Sequence, residues 1–225
     1  MAVYDIEGNV ISHELPFSGE KLVTFGDSIT YMDGHTASGT GELIKGYQGW
    51  LRDIGLDVTN LGVDGAKLAI REGTQEDIVE TVAKTDCSGY DYVMIAGGTN
   101  DYGGGGPRPI GEIAASNYDT STVIGAMQTM IEKIYGDKKD IKLFFVTPLM
   151  RTDMTTANSL GNTLLDYCNA IKTAAAHYAV PVLDFQTMSG LNAANIGTLT
   201  KDGLHPKNAG YAYLAKKLQS FVQSL

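Results

Sequence analysis

Short, continuously apolar runs alternate along the chain with longer segments in which apolar residues recur every three or four positions. An apolar run of this kind is typical of a strand that is covered on both faces, as in a parallel sheet. The strands predicted in this way cover residues 22–25, 57–61, 92–96, 141–146 and 181–185. Glycine or proline soon after the first four runs marks where those strands should end.

Three longer segments have the spacing of one helical face. Their apolar residues are Val123, Ile124, Met127, Met130, Ile131 and Ile134 in the first, Leu160, Leu164, Cys168, Ile171 and Ala175 in the second, and Leu214, Leu218, Phe221 and Val222 in the third. Strands and helices in this alternation predict a three-layer α/β/α sandwich with right-handed crossovers. In such folds the functional groups lie beyond the carboxyl ends of the strands, so the residues after each strand are the first candidates.

The first twenty residues stand apart from this alternation. The segments Val3-Tyr4-Asp5-Ile6 and Val10-Ile11 flank Glu7-Gly8-Asn9, which predicts a small hairpin. We therefore divide the chain into a hairpin-like extension or linker over residues 1–20 and one α/β domain over residues 21–225. The extension is either an ornament at the edge of the domain or the end of a preceding module.

Charge and apolar content narrow the class of partner. The chain has 17 basic and 26 acidic residues and a formal net charge of −9, whereas nucleic acids and anionic membranes select clustered lysine and arginine. We expect neither as a partner, and no apolar run is long enough for insertion into a bilayer. Residues 1–16 lack the basic and apolar regions of a signal peptide. The sequence predicts a soluble protein, with secretion or residence in a larger extracellular protein both open. Cys87 and Cys168 could pair or stay free.

The segment Gly26-Asp27-Ser28-Ile29-Thr30 follows the first predicted strand. A serine in a sharp strand-to-helix turn holds its hydroxyl at the end of the sheet, where a helix amino terminus favours developing negative charge. Aspartate and serine are also the commonest helix caps, so a capping role for Ser28 is the alternative. The segment is not the Gly-x-Ser-x-Gly elbow of α/β-hydrolases, because Thr30 stands where the second glycine would be.

Two further strand ends carry candidate donors for an oxyanion. Gly62 and Gly65 permit a tight turn and the close approach of a backbone N–H, although an ordinary turn explains them as well. Asn100, in Gly97-Gly98-Thr99-Asn100-Asp101, can aim its amide at an oxyanion. Asparagine and aspartate after glycine are also ordinary turn residues.

A histidine near the carboxyl end completes the set. In Asp202-Gly203-Leu204-His205-Pro206, the carboxylate comes three residues before His205 and can fix the tautomer of its imidazole. We expect His13 in the hairpin, His177 at a helix end, and His35 in a loop that could line a pocket. A serine, an aspartate–histidine pair and two candidate donors at the sheet ends are the constellation needed for acyl transfer.

These four segments, in this order, resemble the SGNH hydrolases, also known as the GDSL esterase/lipase family. Ser28, Gly65, Asn100 and His205 match the four blocks of the family, with Asp202 as the third member of its triad. The resemblance implies a flavodoxin-like fold whose five parallel strands have the order 2-1-3-4-5. It also implies a nucleophilic Ser28, and an oxyanion hole made by the backbone N–H groups of Ser28 and Gly65 with the side chain of Asn100.

The resemblance runs from about residue 21 to the end of the chain and implies a serine esterase that needs no cofactor and no metal. No extended apolar lid is visible, which favours small polar acyl substrates, with acetylated carbohydrates as the leading candidate. The expected partner is thus a small-molecule or glycan ester, and nothing indicates the oligomeric state. The alternative is a catalytically decayed domain that binds or attaches to glycans within a larger surface or phage tail protein. Decay usually breaks the set of site residues, which is intact here.

A glycine run, Gly103–Gly106, remains to be explained. It lacks the Gly-Lys-Ser/Thr ending of a phosphate-binding loop. We expect residues 102–116 to form a mobile loop beside the site that shapes the substrate pocket.

Overall fold

The computed structural model describes residues 3–4, 6–7, 10–12, 15–71, 73, 76–103 and 105–225. Its strands are β1 (Val3–Tyr4), β2 (Val10–Ser12), β3 (Lys21–Gly26), β4 (Asp57–Gly62), β5 (Tyr92–Ala96), β6 (Lys142–Val146) and β7 (Val182–Leu183). Its helices are α1 (Ser28–Tyr31), α2 (Tyr47–Arg52), α3 (Ile78–Lys84), α4 (Thr99–Tyr102), α5 (Val123–Asp137), α6 (Leu164–His177), α7 (Phe185–Met188), α8 (Ile196–Leu199) and α9 (Asn208–Val222).

Five parallel strands form the central sheet in the order β4-β3-β5-β6-β7, which is 2-1-3-4-5 when counted within the sheet. The predicted fold class and strand order are therefore confirmed. The last strand is shorter than the predicted run over 181–185, because the chain turns at Asp184 and α7 begins at Phe185.

Successive residues of the strands point into opposite layers, as the pleat of a sheet requires. Val23 and Phe25 of β3 belong to the apolar cluster that includes residues of α3, α5 and α6. Leu22 of β3 and Met94 of β5 belong to the cluster that includes residues of α2 and α9. The continuous apolar runs of the sequence therefore arise because both faces of the sheet are covered.

One predicted helical position is wrong. Leu160 is 48% exposed and lies before α6, which begins at Leu164 with a capping box formed by Thr163 and Asp166. The side chain of Asn158 accepts the N–H of Leu160 at 2.9 Å and so holds this segment in a turn. A side chain that bonds nearby backbone groups offers an alternative to the helix, and the apolar spacing could not reveal it.

At the amino terminus, β1 and β2 pair antiparallel. The chain then joins the core shortly before β3, since Phe17 is buried and packs edge-on against Tyr92 with 6.0 Å between the ring centroids. The division at residue 20 and the relation of the hairpin to a preceding module stay predictions, and His13 lies outside the described residues.

The two cysteines do not form a disulfide. Cys87 and Cys168 are both buried and unpaired, and burial raises the pKa of the two thiols to about 11 and about 12. None of the helices in the described part of the chain combines the length and the apolar character needed to cross a bilayer.

Candidate active site

The turn after β3 carries Ser28, the first residue of α1. Asp27 is the N-cap of this helix, because its Oδ1 accepts the N–H of Ile29 at 3.0 Å. Asp27 therefore does the capping, and the side chain of Ser28 does not. A Cβ at Gly26 would collide with Thr30, so the close approach of α1 to β3 requires glycine there.

A continuous hydrogen-bonded chain links Ser28 to Asp202 through His205. Ser28 Oγ lies 3.0 Å from His205 Nε2, and His205 Nδ1 lies 2.8 Å from Asp202 Oδ2. An ionised carboxylate only accepts, so Nδ1 carries the proton and the lone pair of Nε2 faces the Ser28 hydroxyl. The structure thus brings Ser28 together with the Asp202–His205 pair, although Ser28 and His205 are 177 residues apart in the sequence.

A tight turn over residues 200–206 brings Asp202 and His205 together. The N–H of Lys201 donates to His205 O at 2.8 Å, and Gly203 has a φ of +82°, which glycine adopts without strain. Asp202 Oδ1 accepts the N–H of His205 at 2.8 Å and that of Leu204 at 3.1 Å. Partial burial raises the pKa of the Asp202 carboxyl, but the bonds from His205 outweigh it, and the net pKa lies below its usual value.

Asp27 lies close to the hydrogen-bonded residues Ser28, His205 and Asp202, but its environment differs from that of Asp202. It is 4% exposed, and burial raises its pKa to about 7, against the opposing effects of a backbone N–H and of His205. The carboxyls of Asp101 and Asp64 act in the same direction as burial. The pKa values of Asp27 and Asp202, both near His205, are thus shifted in opposite directions.

The turns after β4 and β5 meet beside the end of β3. The N–H of Val63 donates to Gly26 O at 2.9 Å, and Asn100 Nδ2 donates to Ala66 O at 2.9 Å. Gly65 lies between these two contacts with a φ of +71°. In the described part of the chain no acceptor takes the N–H of Gly65, and the amide of Asn100 has a second hydrogen to donate. Gly65 and Asn100 are therefore neighbours at the edge of the sheet where Ser28 lies.

A cavity of about 290 Å³ lies beside Ser28. Its apolar lining comes from Met32, Ala37, Ile44 and Pro206, and its polar lining includes Ser38, Thr40, Glu42, Lys201 and Lys207. Five of these residues belong to one hairpin over residues 34–44, which we call the wall hairpin. The bridge between Thr36 and Leu43 closes it.

The described part of the glycine-rich segment over 102–116 contributes no residue to the lining of this cavity, and its role in shaping a substrate pocket stays a prediction. Tyr102 is buried and donates to Asp153 O at 2.8 Å. The N–H of Ile124 in α5 donates to Ile110 O at 2.9 Å. These contacts hold the segment against α5 and the loop after β6.

The wall hairpin is joined to the turn that carries His205. Lys201 Nζ donates to Ser38 O at 2.6 Å. Asn208 Nδ2 donates to Glu42 Oε1 at 2.6 Å, and Asn208 Oδ1 accepts the N–H of Lys45 at 2.8 Å. The sequence indicates a pocket residue in this segment at His35 but does not identify the wall or its lining residues. The signal that could have revealed the wall is the glycine spacing at 34, 39 and 41, where all three glycines have positive φ.

The two other histidines that the structure describes are His35 and His177, and neither contacts Ser28, His205 or Asp202. His35 stacks on Tyr31 with 3.9 Å between the ring centroids and is not a lining residue of the cavity. His177 is the last residue of α6, as predicted. Among the described residues, no group of three or more histidines, cysteines or carboxylates is arranged to hold a metal ion.

Comparison with known proteins agrees with this geometry. The sequence model of the GDSL-like lipase/acylhydrolase family matches residues 24–213. This chain belongs to that family. The matched range contains all four blocks that suggested the resemblance. No curated protein sequence matches the chain.

Solved structures with the same fold extend the comparison of this GDSL-like chain. A protein from Lactobacillus plantarum is 26% identical, with 92% of this chain and 98% of that chain covered and a TM-score of 0.75. The lipase/acylhydrolase from Enterococcus faecalis is 20% identical over 91% of this chain and 96% of that chain, with a TM-score of 0.62. A family two carbohydrate esterase from Clostridium thermocellum is 15% identical over 92% of this chain and 64% of that chain, with a TM-score of 0.65. The last two likenesses show the fold alone.

Proposed function

We propose that this chain is a serine esterase that hydrolyses short acyl esters, foremost acetyl esters of carbohydrates. The observation that carries the proposal is the hydrogen-bonded chain from Ser28 through His205 to Asp202, with contacts of 3.0 and 2.8 Å. Both distances allow a direct hydrogen bond. Such a bond is what proton transfer from Ser28 to His205 and orientation of the imidazole by Asp202 require. Membership of the GDSL-like family supports ester hydrolysis as the class of reaction.

In the first step His205 Nε2 takes the proton of Ser28 as Oγ attacks the carbonyl carbon of the ester. The imidazolium that forms is stabilised by Asp202, which stays ionised because its pKa lies below the usual value. Two backbone N–H groups hold Asp202 in place for this role.

The negative charge then develops on the former carbonyl oxygen. We assign its stabilisation to the N–H groups of Ser28 and Gly65 and to the second amide hydrogen of Asn100. Donors fixed in advance at the place where charge develops supply one of the largest effects in enzyme catalysis. The bond between Asn100 and Ala66 supports the assignment, because it orients the amide nitrogen toward the Gly65 turn.

The intermediate collapses when His205 gives its proton to the leaving alkoxide, so that the alcohol departs and the acyl group remains on Ser28. Water then loses a proton to His205 and attacks the acyl-enzyme. The acid product leaves as the Ser28 hydroxyl regains its proton. One ester and one water thus yield one alcohol and one acid, with the enzyme unchanged.

The cavity supports a small substrate group. Its volume of about 290 Å³ is just below the roughly 300–1,000 Å³ typical of ligand pockets. An apolar part suits a short acyl chain, while the hydroxyl and charged groups of Ser38, Thr40 and Lys207 suit a partner rich in hydroxyls.

The test is hydrolysis of p-nitrophenyl acetate, butyrate and octanoate by the wild type and Ser28→Ala at about pH 8, where an ordinary imidazole is neutral. We expect the acetate to be the best substrate and Ser28→Ala to lose at least about a thousandfold in kcat. Acetylated glycans then replace the model esters. Equal inactivity of both proteins on every ester would contradict the proposal and favour a glycan-binding or attachment module.

A further inference from the structure

Two adjacent residues of α4 are bonded to the loop that follows β4. Asn100 Nδ2 donates to Ala66 O at 2.9 Å. The carboxylate of Asp101 accepts the N–H of Leu68 at 2.8 Å and that of Ala69 at 3.0 Å. The short helix after β5 is therefore attached to the Gly65 loop at three points, two of which depend on Asp101.

Burying the carboxylate of Asp101 costs more free energy than an ordinary loop contact would justify. Its side chain is 0% exposed, and burial raises its pKa to about 6 although two backbone N–H groups and Lys67 counteract this. A carboxylate can accept from both N–H groups at once, whereas asparagine offers one acceptor oxygen. The residue thus fixes two consecutive peptide groups through different carboxylate oxygens, and asparagine would keep an acceptor at only one of those two positions.

The loop is also held at Gly65 itself. Gly65 O accepts from Arg71 Nη2 at 3.2 Å, and Arg71 pairs with the buried Asp77 at 2.9 Å. Asp101 differs from these groups because it shares a four-residue helix with Asn100. It therefore couples the position of the Gly65 loop to the position of the Asn100 amide.

We propose that Asp101 is a positioning residue, which holds the N–H of Gly65 and the amide of Asn100 in the geometry that receives the oxyanion. The inference rests on the proposed function. Because Asp101 is wholly buried, it acts through the loop and does not touch the substrate. Its loss should therefore lower kcat, where the oxyanion contributes, and leave KM nearly unchanged.

The experiment measures kcat and KM with p-nitrophenyl acetate for the wild type, Asp101→Asn, Asn100→Ala and the double variant. We expect Asp101→Asn to lower kcat at least about tenfold, a part of the 10²–10³-fold cost of losing one oxyanion donor. KM should stay within about twofold. In the Asn100→Ala background the further loss should be clearly smaller than in the wild type, because both changes act on the same group of donors.

The matched control is Asp137→Asn. Asp137 accepts the N–H of Cys87 at 2.8 Å and pairs with Lys133, near the amino ends of the strands. Its loss should lower the melting temperature and leave kcat unchanged. Circular dichroism gives the folded fraction, and kcat is expressed per folded protein. Asp101→Ser, which keeps a hydroxyl acceptor, replaces Asp101→Asn if the latter does not fold.

The outcomes separate the two proposals. A folded Asp101 variant with the wild-type kcat, or losses that multiply in the double variant, would overturn the positioning role while the esterase function stands. A wild type whose turnover survives Ser28→Ala would overturn the proposed function, and this inference with it.

Discussion

The candidate catalytic groups and the wall of the cavity are held in different ways. Ser28 and Asn100 come within four residues of the ends of buried parallel strands, and bonds to backbone atoms fix their surroundings. The wall hairpin bends at Gly39 and Gly41, both with positive φ. Side chains such as Asn208 join it to the domain.

This difference indicates which part of the site can change without loss of the fold. The sheet fixes the edge that carries the candidate groups Ser28 and Asn100, which we call the catalytic edge, because moving a strand would expose apolar residues on both of its faces. A few bonds at the surface fix the wall, and each contributes about 1 kcal/mol. We therefore expect variants at the catalytic edge to change the rate of the chemical step, and variants at the wall to change which ester is preferred.

The largest effect in this comparison is expected of Asn100→Ala. Removing one donor to the oxyanion should lower kcat by about 10²–10³-fold and change KM little. The matched control is Gln219→Ala, which removes an amide that donates to Trp50 O at 2.7 Å, between α9 and α2. That variant should lose stability and keep its kcat. Full turnover by Asn100→Ala would mean that the oxyanion assignment is wrong.

The next prediction concerns the two aspartates near His205. The quantity measured is the free energy of unfolding as a function of pH. The pKa of Asp27 is raised to about 7 from 3.8, so the folded state binds this proton more tightly. The stability that this proton contributes is complete below about pH 4 and is lost as pH rises toward 7. Asp27→Asn stays neutral and keeps an oxygen that can cap α1. Relative to the wild type it should therefore gain stability over this interval, by up to about 4 kcal/mol.

Asp202→Asn is the natural contrast to Asp27→Asn. The pKa of Asp202 is lowered, so its contribution to stability is present above the unfolded pKa and is lost as pH falls through the folded one. Relative to the wild type, this variant should be less stable at neutral pH and should recover in acid. Urea unfolding followed by circular dichroism at about pH 4, 5.5 and 8 measures both differences. If the stability difference from the wild type changed with pH in the same way for both variants, the opposite pKa shifts of Asp27 and Asp202 would be contradicted.

Much of the catalytic edge could be predicted because its signals are local. Continuous apolar runs identify strands that are buried on both faces, and their alternation with helices predicted the fold class. The strand order followed from the family resemblance. Ser28, Gly65, Asn100 and the Asp202–His205 pair each lie within a few residues of such a run or of a helix start. The turn that joins Asp202 to His205 closes over only a few residues, so sequence spacing sufficed to pair them.

The wall and the support of the Gly65 loop could not be predicted, because their contacts join distant residues. The bond between Asn208 and Glu42 links positions 166 residues apart, and the bond between Asp101 and Leu68 links positions 33 apart. Nothing in the composition of residues 102–116 shows that they bond to α5. The glycine run there suggested a pocket loop, whereas its described part contributes no residue to the lining of the cavity beside Ser28.

The smallest effect is expected at the wall, from Asn208→Ala. The change removes bonds to Glu42 Oε1, Leu43 O and the N–H of Lys45, so the hairpin should lie less firmly against the cavity. Longer acyl chains should then be admitted more easily. We expect the acetate-to-octanoate ratio of kcat/KM to fall by about threefold to tenfold, equivalent to one or two weak hydrogen bonds, while kcat on acetate stays close to the wild-type value.

Asn195→Ala provides the matched control for the wall. Asn195 donates to Gly190 O at 3.0 Å and accepts the N–H of Asn192 at 2.9 Å, and none of these residues lines the cavity. Its loss should leave the acetate-to-octanoate ratio unchanged. If both variants keep the wild-type ratio, the wall hairpin does not select the acyl chain. If Asn208→Ala alone changes it, preference for one ester can vary at the wall without any change at the strand ends, where the proposed chemistry lies.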